Sequence, residues 1–125
     1  MSKDTAENRC VWFEIPVGDL KRAQVFYQAV FETELYDEEG SPNPMLVFPT
    51  RNNSGVSGHL YEGKPAADGQ GPTVHLGVEG PLEDALERVK TNGGTVLSEI
   101  ITIPPGRFAY CRDLDGNSIG LFKAA

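Results

Sequence analysis

Basic charge, cysteine and long apolar runs are all scarce in this chain, and each shortage removes a class of function. Eleven Lys and Arg stand against eighteen Asp and Glu in 125 residues, for a net charge of −7. The basic residues are scattered, which argues against a nucleic-acid partner, because phosphate backbones need clustered cations. No apolar stretch approaches the roughly 18 residues that a membrane-crossing helix requires, so no membrane partner is expected. Residues 1–9, MSKDTAENR, lack the apolar centre of a secretory signal and read as a polar tail. Cys10 and Cys111 are the only cysteines. Without a secretory signal they are most simply reduced thiols, and a cytoplasmic location is expected. Histidine is also rare, with His59 and His75 alone, so any site built on imidazole must use one of these two. There is no G-x-S-x-G, phosphate loop or C-x-x-C.

What is present is alternation. In CVWFEIPV (10–17), Val11, Phe13, Ile15 and Val17 share one face of a strand, while Trp12, Glu14 and Pro16 share the other. Asp19 then stands as a helix N-cap, and Leu20, Ala23, Phe26, Tyr27, Val30 and Phe31 make one helical stripe. Short extended pieces are predicted at 33–38, 44–49 and 57–62, punctuated by Gly and Pro. GKPAADGQGP (63–72) has no hydrophobic period and reads as a linker.

The same grammar restarts at TVHLGV (73–78), with Val74, Leu76 and Val78 on one face and Thr73, His75 and Gly77 on the other. A second helix opens at Gly80-Pro81, carries the stripe Leu82, Ala85, Leu86 and Val89, and stops at Asn92-Gly93-Gly94. Strands follow at about 95–101, 107–112 and 118–123, the last entered through the turn Asp115-Gly116-Asn117-Ser118. The predicted fold is α+β: a single domain over 10–125, with one βαβββ module at about 10–62 and another at about 73–123. The two form a curved mixed sheet with the helices on its outer side.

The strand faces turned from the helices are mixed: Trp12 and Glu14; Thr73, His75 and Gly77; Ser118, Gly120 and Phe122. Small and polar residues beside aromatics suit the wall of a ligand cavity, with a solvated or dimer-covered face as the alternative. Gly120 in mid-strand costs about 0.5–1 kcal/mol relative to Ala, which suggests that the space above it is wanted.

The stretches FEIPVGDLKRAQVFYQAVF (13–31) and CRDLDGNSIGLF (111–122) resemble the vicinal oxygen chelate superfamily, which includes glyoxalase I, bleomycin-resistance proteins and extradiol dioxygenases. The resemblance implies paired βαβββ modules, usually a homodimer, and a cup-shaped site for a small molecule. In the enzymes of that family a divalent metal sits in the cup. The glyoxalase-like ligand positions fall here on Trp12, Thr73 and Gly120, with a fourth near 55–61. None of the three matched residues is a good metal ligand, so the standard metal site is not expected.

Glu14 and His75, two residues along from the matched positions, are the candidate acid–base groups. Trp12, Thr73, Arg107, Gly120 and Phe122 are the candidate ligand-binding residues. A displaced metal site using Glu14, His59 and His75, which would suit Zn, Ni or Fe, is the alternative, and would make the chain a lyase or dioxygenase. Sequestration of a cationic aromatic ligand is a third reading.

Overall fold

The computed structural model describes residues 5–38, 42–68 and 70–125. The first module runs β1 (Phe13–Val17), α1 (Leu20–Phe31), β2 (Tyr36–Asp37), β3 (Leu46–Val47) and β4 (Gly58–Glu62). The second runs β5 (Val74–Gly77), α2 (Leu82–Thr91), β6 (Thr95–Val96), β7 (Ile101–Ile103), β8 (Gly106–Arg112) and β9 (Ser118–Ala124). The α+β fold and the two βαβββ modules expected from periodicity are therefore present.

The mixed ladder is divided in two. One sheet has the order β1-β4-β3-β2, and the other β5-β9-β8-β6 with β7 also on β8. In each, the first strand pairs in parallel with the last, β1 with β4 and β5 with β9. The strands β1 and β5 are the edges of their sheets, and both line the clefts between the modules.

The apolar face of each sheet lies under its helix, and the helices also pack against each other. Ile15, Val17, Leu60, Leu76, Ile119 and Leu121 join Phe26, Tyr27, Val30, Leu82, Ala85 and Val89 in one continuous core. Asp19 caps α1 as expected, its carboxylate accepting from the Arg22 amide at 3.1 Å.

Two expectations about strand extent are corrected. The first strand begins at Phe13 rather than Cys10, leaving Val11 68% exposed with no partner strand to hold it. The strand expected at 95–101 is broken into β6 and β7. Val96 pairs with Cys111 and Ile101 with Phe108, so the edge strand carries two more residues than its partner. Ser98 fills the gap: its Oγ accepts from the Tyr110 amide at 2.9 Å, replacing a ladder bond.

The modules are fastened by the turn after β8. The buried Asp113 carboxylate accepts from the Tyr27 hydroxyl at 2.6 Å, from the amides of Asp115 and Asn117 at 2.9 Å each, and from Asn117 Nδ2 at 3.0 Å. Asn117 Nδ2 also donates to the Pro16 carbonyl at 2.8 Å, and the Gly18 amide donates to Asp115 Oδ1 at 3.0 Å. Gly116 takes φ 85°, the left-handed conformation that this tight turn requires. The segment 113–117 is thus a hairpin turn and a clasp on the first module at once. Burial, then the negative charge of Asp113, its hydrogen bond and the charge of Asp115, push the Tyr27 hydroxyl well above its ordinary pKa.

Candidate ligand-binding site

Parallel pairing fixes which side chains meet on the helix-free faces. In the first module Glu14 lies opposite His59, and in the second His75 lies opposite Gly120. The two pairs occupy equivalent places, but they are built differently.

His59 is buried, 6% exposed, and both its ring nitrogens are engaged. Trp12 Nε1–H donates to Nδ1 at 2.9 Å, and Nε2 lies 3.2 Å from Glu14 Oε1. An indole nitrogen can only donate, so Nδ1 carries no proton; the neutral ring is then the Nε2–H tautomer, with Nε2 at ion-pair distance from the Glu14 carboxylate. The chain Trp12–His59–Glu14 ends at a carboxylate whose side chain is 64% exposed. Glu14 is thereby oriented from behind and open in front, ready to accept from a ligand cation or hydrogen-bond donor.

His75 behaves otherwise. A Cβ at Gly120 would run into the His75 ring, so the missing side chain makes room for that imidazole. The space above Gly120 is filled from within the chain. The ring sits edge-on to Phe108, Tyr110 and Phe122, with centroids at 5.2, 5.8 and 6.4 Å, and Phe108 stacks on Phe122 at 6.0 Å. This nest is apolar, and among the described residues the His75 ring makes no hydrogen bond.

The other predicted residues divide. Thr73 precedes β5, and its hydroxyl shares a 2.5 Å hydrogen bond with that of Ser118. It thus faces the same side as Gly120 and Phe122. Arg107 does not join them. It is within β8, on the opposite face, held by Glu83 of α2 in a two-pronged pair at 3.0 and 3.1 Å. The reason is register: in β8 the residues Phe108 and Tyr110 take the helix-free face, so Arg107 must turn towards α2. Cys111 is buried on that same helix side, and burial pushes its thiol up to about 11, which suits an inert core residue.

Sequence reasoning missed the indole–imidazole bond that makes Trp12 part of a polar chain. It missed the clasp role of Asp113 as well. The parity of Trp12 with Glu14 signalled the shared face, but the β1–β4 register that brings in His59 has no local mark in the sequence.

A resident divalent ion does not fit these residues. The Nδ1 lone pair of His59 is taken by Trp12, and the Nε2 of that tautomer carries the proton. The displaced set does not assemble, because Glu14 and His59 meet in one module while His75 lies in the aromatic nest of the other. Among the described residues no three His, Cys, Asp or Glu side chains come together as a metal-binding group. By the equivalence of the pairs, His59 stands where Gly120 stands in the second module. The two places therefore hold one histidine that is already bonded and one glycine.

Two clefts open where β1 approaches β5. The smaller, about 140 Å³, is lined by Glu14, Pro16, Val74, Ser118 and linker residues including Ala66 and Pro72. The larger, about 400 Å³, lies by Phe13, Phe48, Arg51, His75 and Glu79. Trp12, Thr73, Gly120 and Phe122 line neither of these two.

Paired βαβββ modules, each with its first strand parallel to its last, define a class of folds built on duplicated modules. The family model for the Glyoxalase/Bleomycin resistance protein/Dioxygenase superfamily matches residues 9–121, and the chain belongs to that family. No curated protein sequence matches it significantly. Among solved structures it is similar to hypothetical protein SA1046 from S. aureus, with TM-score 0.69 and 21% identity over 95% of this chain and 100% of that one. It is similar also to a glyoxalase/bleomycin resistance protein from Albidiferax ferrireducens, with TM-score 0.68 and 20% identity over 94% and 100% of the two chains. A third is the fosfomycin resistance protein FosX from Listeria monocytogenes, in a complex with Mn(II) and sulfate, with TM-score 0.69 and 18% identity over 97% and 93%. At these identities the likeness is one of fold. No helix among the described residues is long and apolar enough to cross a membrane.

Proposed function

We propose that this protein binds a small organic molecule on the helix-free side of its paired sheets, without a resident metal ion, as a glyoxalase-related member of its family. The observation that carries the reading is the Trp12–His59–Glu14 chain. It occupies Nδ1 of the one well-placed imidazole, sets Nε2 3.2 Å from Glu14, and leaves that carboxylate as an outward-facing acceptor. A carboxylate beside an indole suits a ligand with a cationic or hydrogen-bond-donating group on an aromatic body. A net charge of −7 concentrates such ligands. This is the chemistry of sequestration rather than of metal-assisted lyase or dioxygenase turnover. The nest of His75, Phe108, Tyr110 and Phe122 supplies the apolar side of the same reading.

A homodimer in the cytoplasm is part of this proposal. Ile101, Ile103 and Tyr110 are 37%, 37% and 38% exposed on the helix-free face of the second module, and a second copy is the cover they suit.

A thermal-shift screen tests the function. Cationic aromatic compounds should raise the melting temperature, EDTA should leave that shift unchanged, and Glu14→Gln should remove it. Turnover of a hemithioacetal or a catechol that EDTA abolishes would overturn the reading.

A further inference from the structure

We propose a second binding site, in the cleft of about 400 Å³ where the start of β1 faces the end of β5, and that it takes an aromatic zwitterion: an aryl body bearing one carboxylate and one ammonium. The cleft shares only His75 with the site proposed above. Its volume falls within the roughly 300–1,000 Å³ usual for small-ligand pockets.

The floor is aromatic. Phe13, Phe31 and Phe48 are only partly buried and pack on the core from its edge. Phe48 meets Phe13 at 5.6 Å and Phe31 at 6.5 Å, tilted in the first case and edge-on in the second. Rings arranged this way leave faces and edges free for another ring.

The mouth carries one charge of each sign, on opposite banks. Arg51 comes from the turn after β3, and Glu79 from the residues after β5. They stand 3.9 Å apart, with side chains 85% and 90% exposed. That separation is too long for a hydrogen bond, and so exposed a pair contributes little; a ligand can part it at small cost. A carboxylate then meets Arg51 and an ammonium meets Glu79. The backbone behind Arg51 is held in an unusual shape, since Asn52 and Asn53 both take left-handed conformations, φ 55° and 57°. Asparagine tolerates that region, and the turn presents Arg51 at the rim.

Gly77 supplies the independent observation. It lines this cleft, its φ is not positive, and a Cβ built there meets nothing within 4 Å. Gly120 is small because His75 fills its space; Gly77 is small and the space is open.

The test is amide chemical-shift mapping of the full chain with three probes: L-phenylalanine, phenylacetate and phenethylamine. L-Phenylalanine should shift the amides of 50–57 and 77–79. It should bind roughly threefold or more tightly than either singly charged probe, the scale set by exposed ion pairs. Arg51→Ala should reduce L-phenylalanine to the level of phenethylamine, and Glu79→Gln to that of phenylacetate. Gly77→Leu should abolish binding of all three at an unchanged melting temperature; if that variant is destabilised, Val56→Trp closes the same cleft from its exposed side. Absence of shifts at millimolar L-phenylalanine overturns the proposal, as do shifts centred on Glu14 and Phe122 instead, retention of binding in the blocked variants, or equal affinity for all three probes.

Discussion

At the same register position the two modules carry opposite solutions. In the first, Glu14 and His59 face each other across β1 and β4, and both have side chains. In the second, His75 faces Gly120 across β5 and β9, and only one does. The first histidine is buried, hydrogen-bonded to Trp12 and 3.2 Å from the Glu14 carboxylate; the second is exposed at its rim and held by aromatic edges. The backbone scaffold is shared, so the residue on the neighbouring strand decides what an imidazole becomes. Opposite a carboxylate and beside an indole it is a polar relay, and over a glycine it is a piece of packing.

The comparison depends on the modules being held together, so the largest effect should come from the clasp. Asp113→Ala strands four donors, including the buried Tyr27 hydroxyl. It should cost about 3 kcal/mol or more, since hydrogen bonds to a charged group are worth about 1.5–3 kcal/mol each; urea unfolding checks it. Next come the two histidines. His59→Ala should lose about 2 kcal/mol, because a buried ring, its bond from Trp12 and its contact with Glu14 disappear. His75→Ala should lose only about 0.5–1 kcal/mol, the worth of its aromatic contacts. Equal losses would contradict the division between relay and packing.

Smaller still is the effect of filling the glycine. Gly120→Ala should cost about 1 kcal/mol by forcing the His75 ring aside. In a His75→Ala background the same change should become neutral or favourable by about 0.5 kcal/mol, since Ala outperforms Gly in a strand. A double-mutant cycle in urea reads that change of sign.

Alkaline titration sharpens the account of the core. Both Cys111 and Tyr27 have folded-state values above their ordinary ones. Their contributions are therefore whole below the unfolded values and are lost as pH rises towards the folded ones. The contribution of Cys111 should be whole up to about pH 9 and fall between there and about 11 as the thiol ionises in the unfolded state. Tyr27 adds a further fall above about pH 10. Cys111→Ala should remove the first part of the slope, and Tyr27→Phe the second.

The fold was legible because its signals are local. Alternation in 13–17 and 74–77, the stripes of α1 and α2, and the Asp19 cap each announce themselves within a dozen residues. The short edge strands were overdrawn, because β2, β3 and β6 have two residues each, too few for period two to show. The site was half legible. The parity of Trp12 with Glu14, and of His75 with Gly77, put the right side chains on the right faces. What was hidden is the pairing between distant strands: nothing near Trp12 says that His59 lies beside it, and nothing near Gly120 says that His75 covers it. The place of Arg107 was hidden for the same reason, since one step of phase in β8 separates the helix-free face from α2 and Glu83.

The central claim is that His59 is locked as an Nε2–H imidazole by Trp12 and is closed to metal. Long-range proton–nitrogen correlation spectra of the imidazole rings, recorded at pH 7 with and without added Zn²⁺, address it directly. The account predicts a protonated Nε2 and bare Nδ1 for His59, unchanged by the metal, with the Trp12 indole proton coupled to that ring. A protonated Nδ1, or a His59 nitrogen that moves on stoichiometric Zn²⁺, would contradict it.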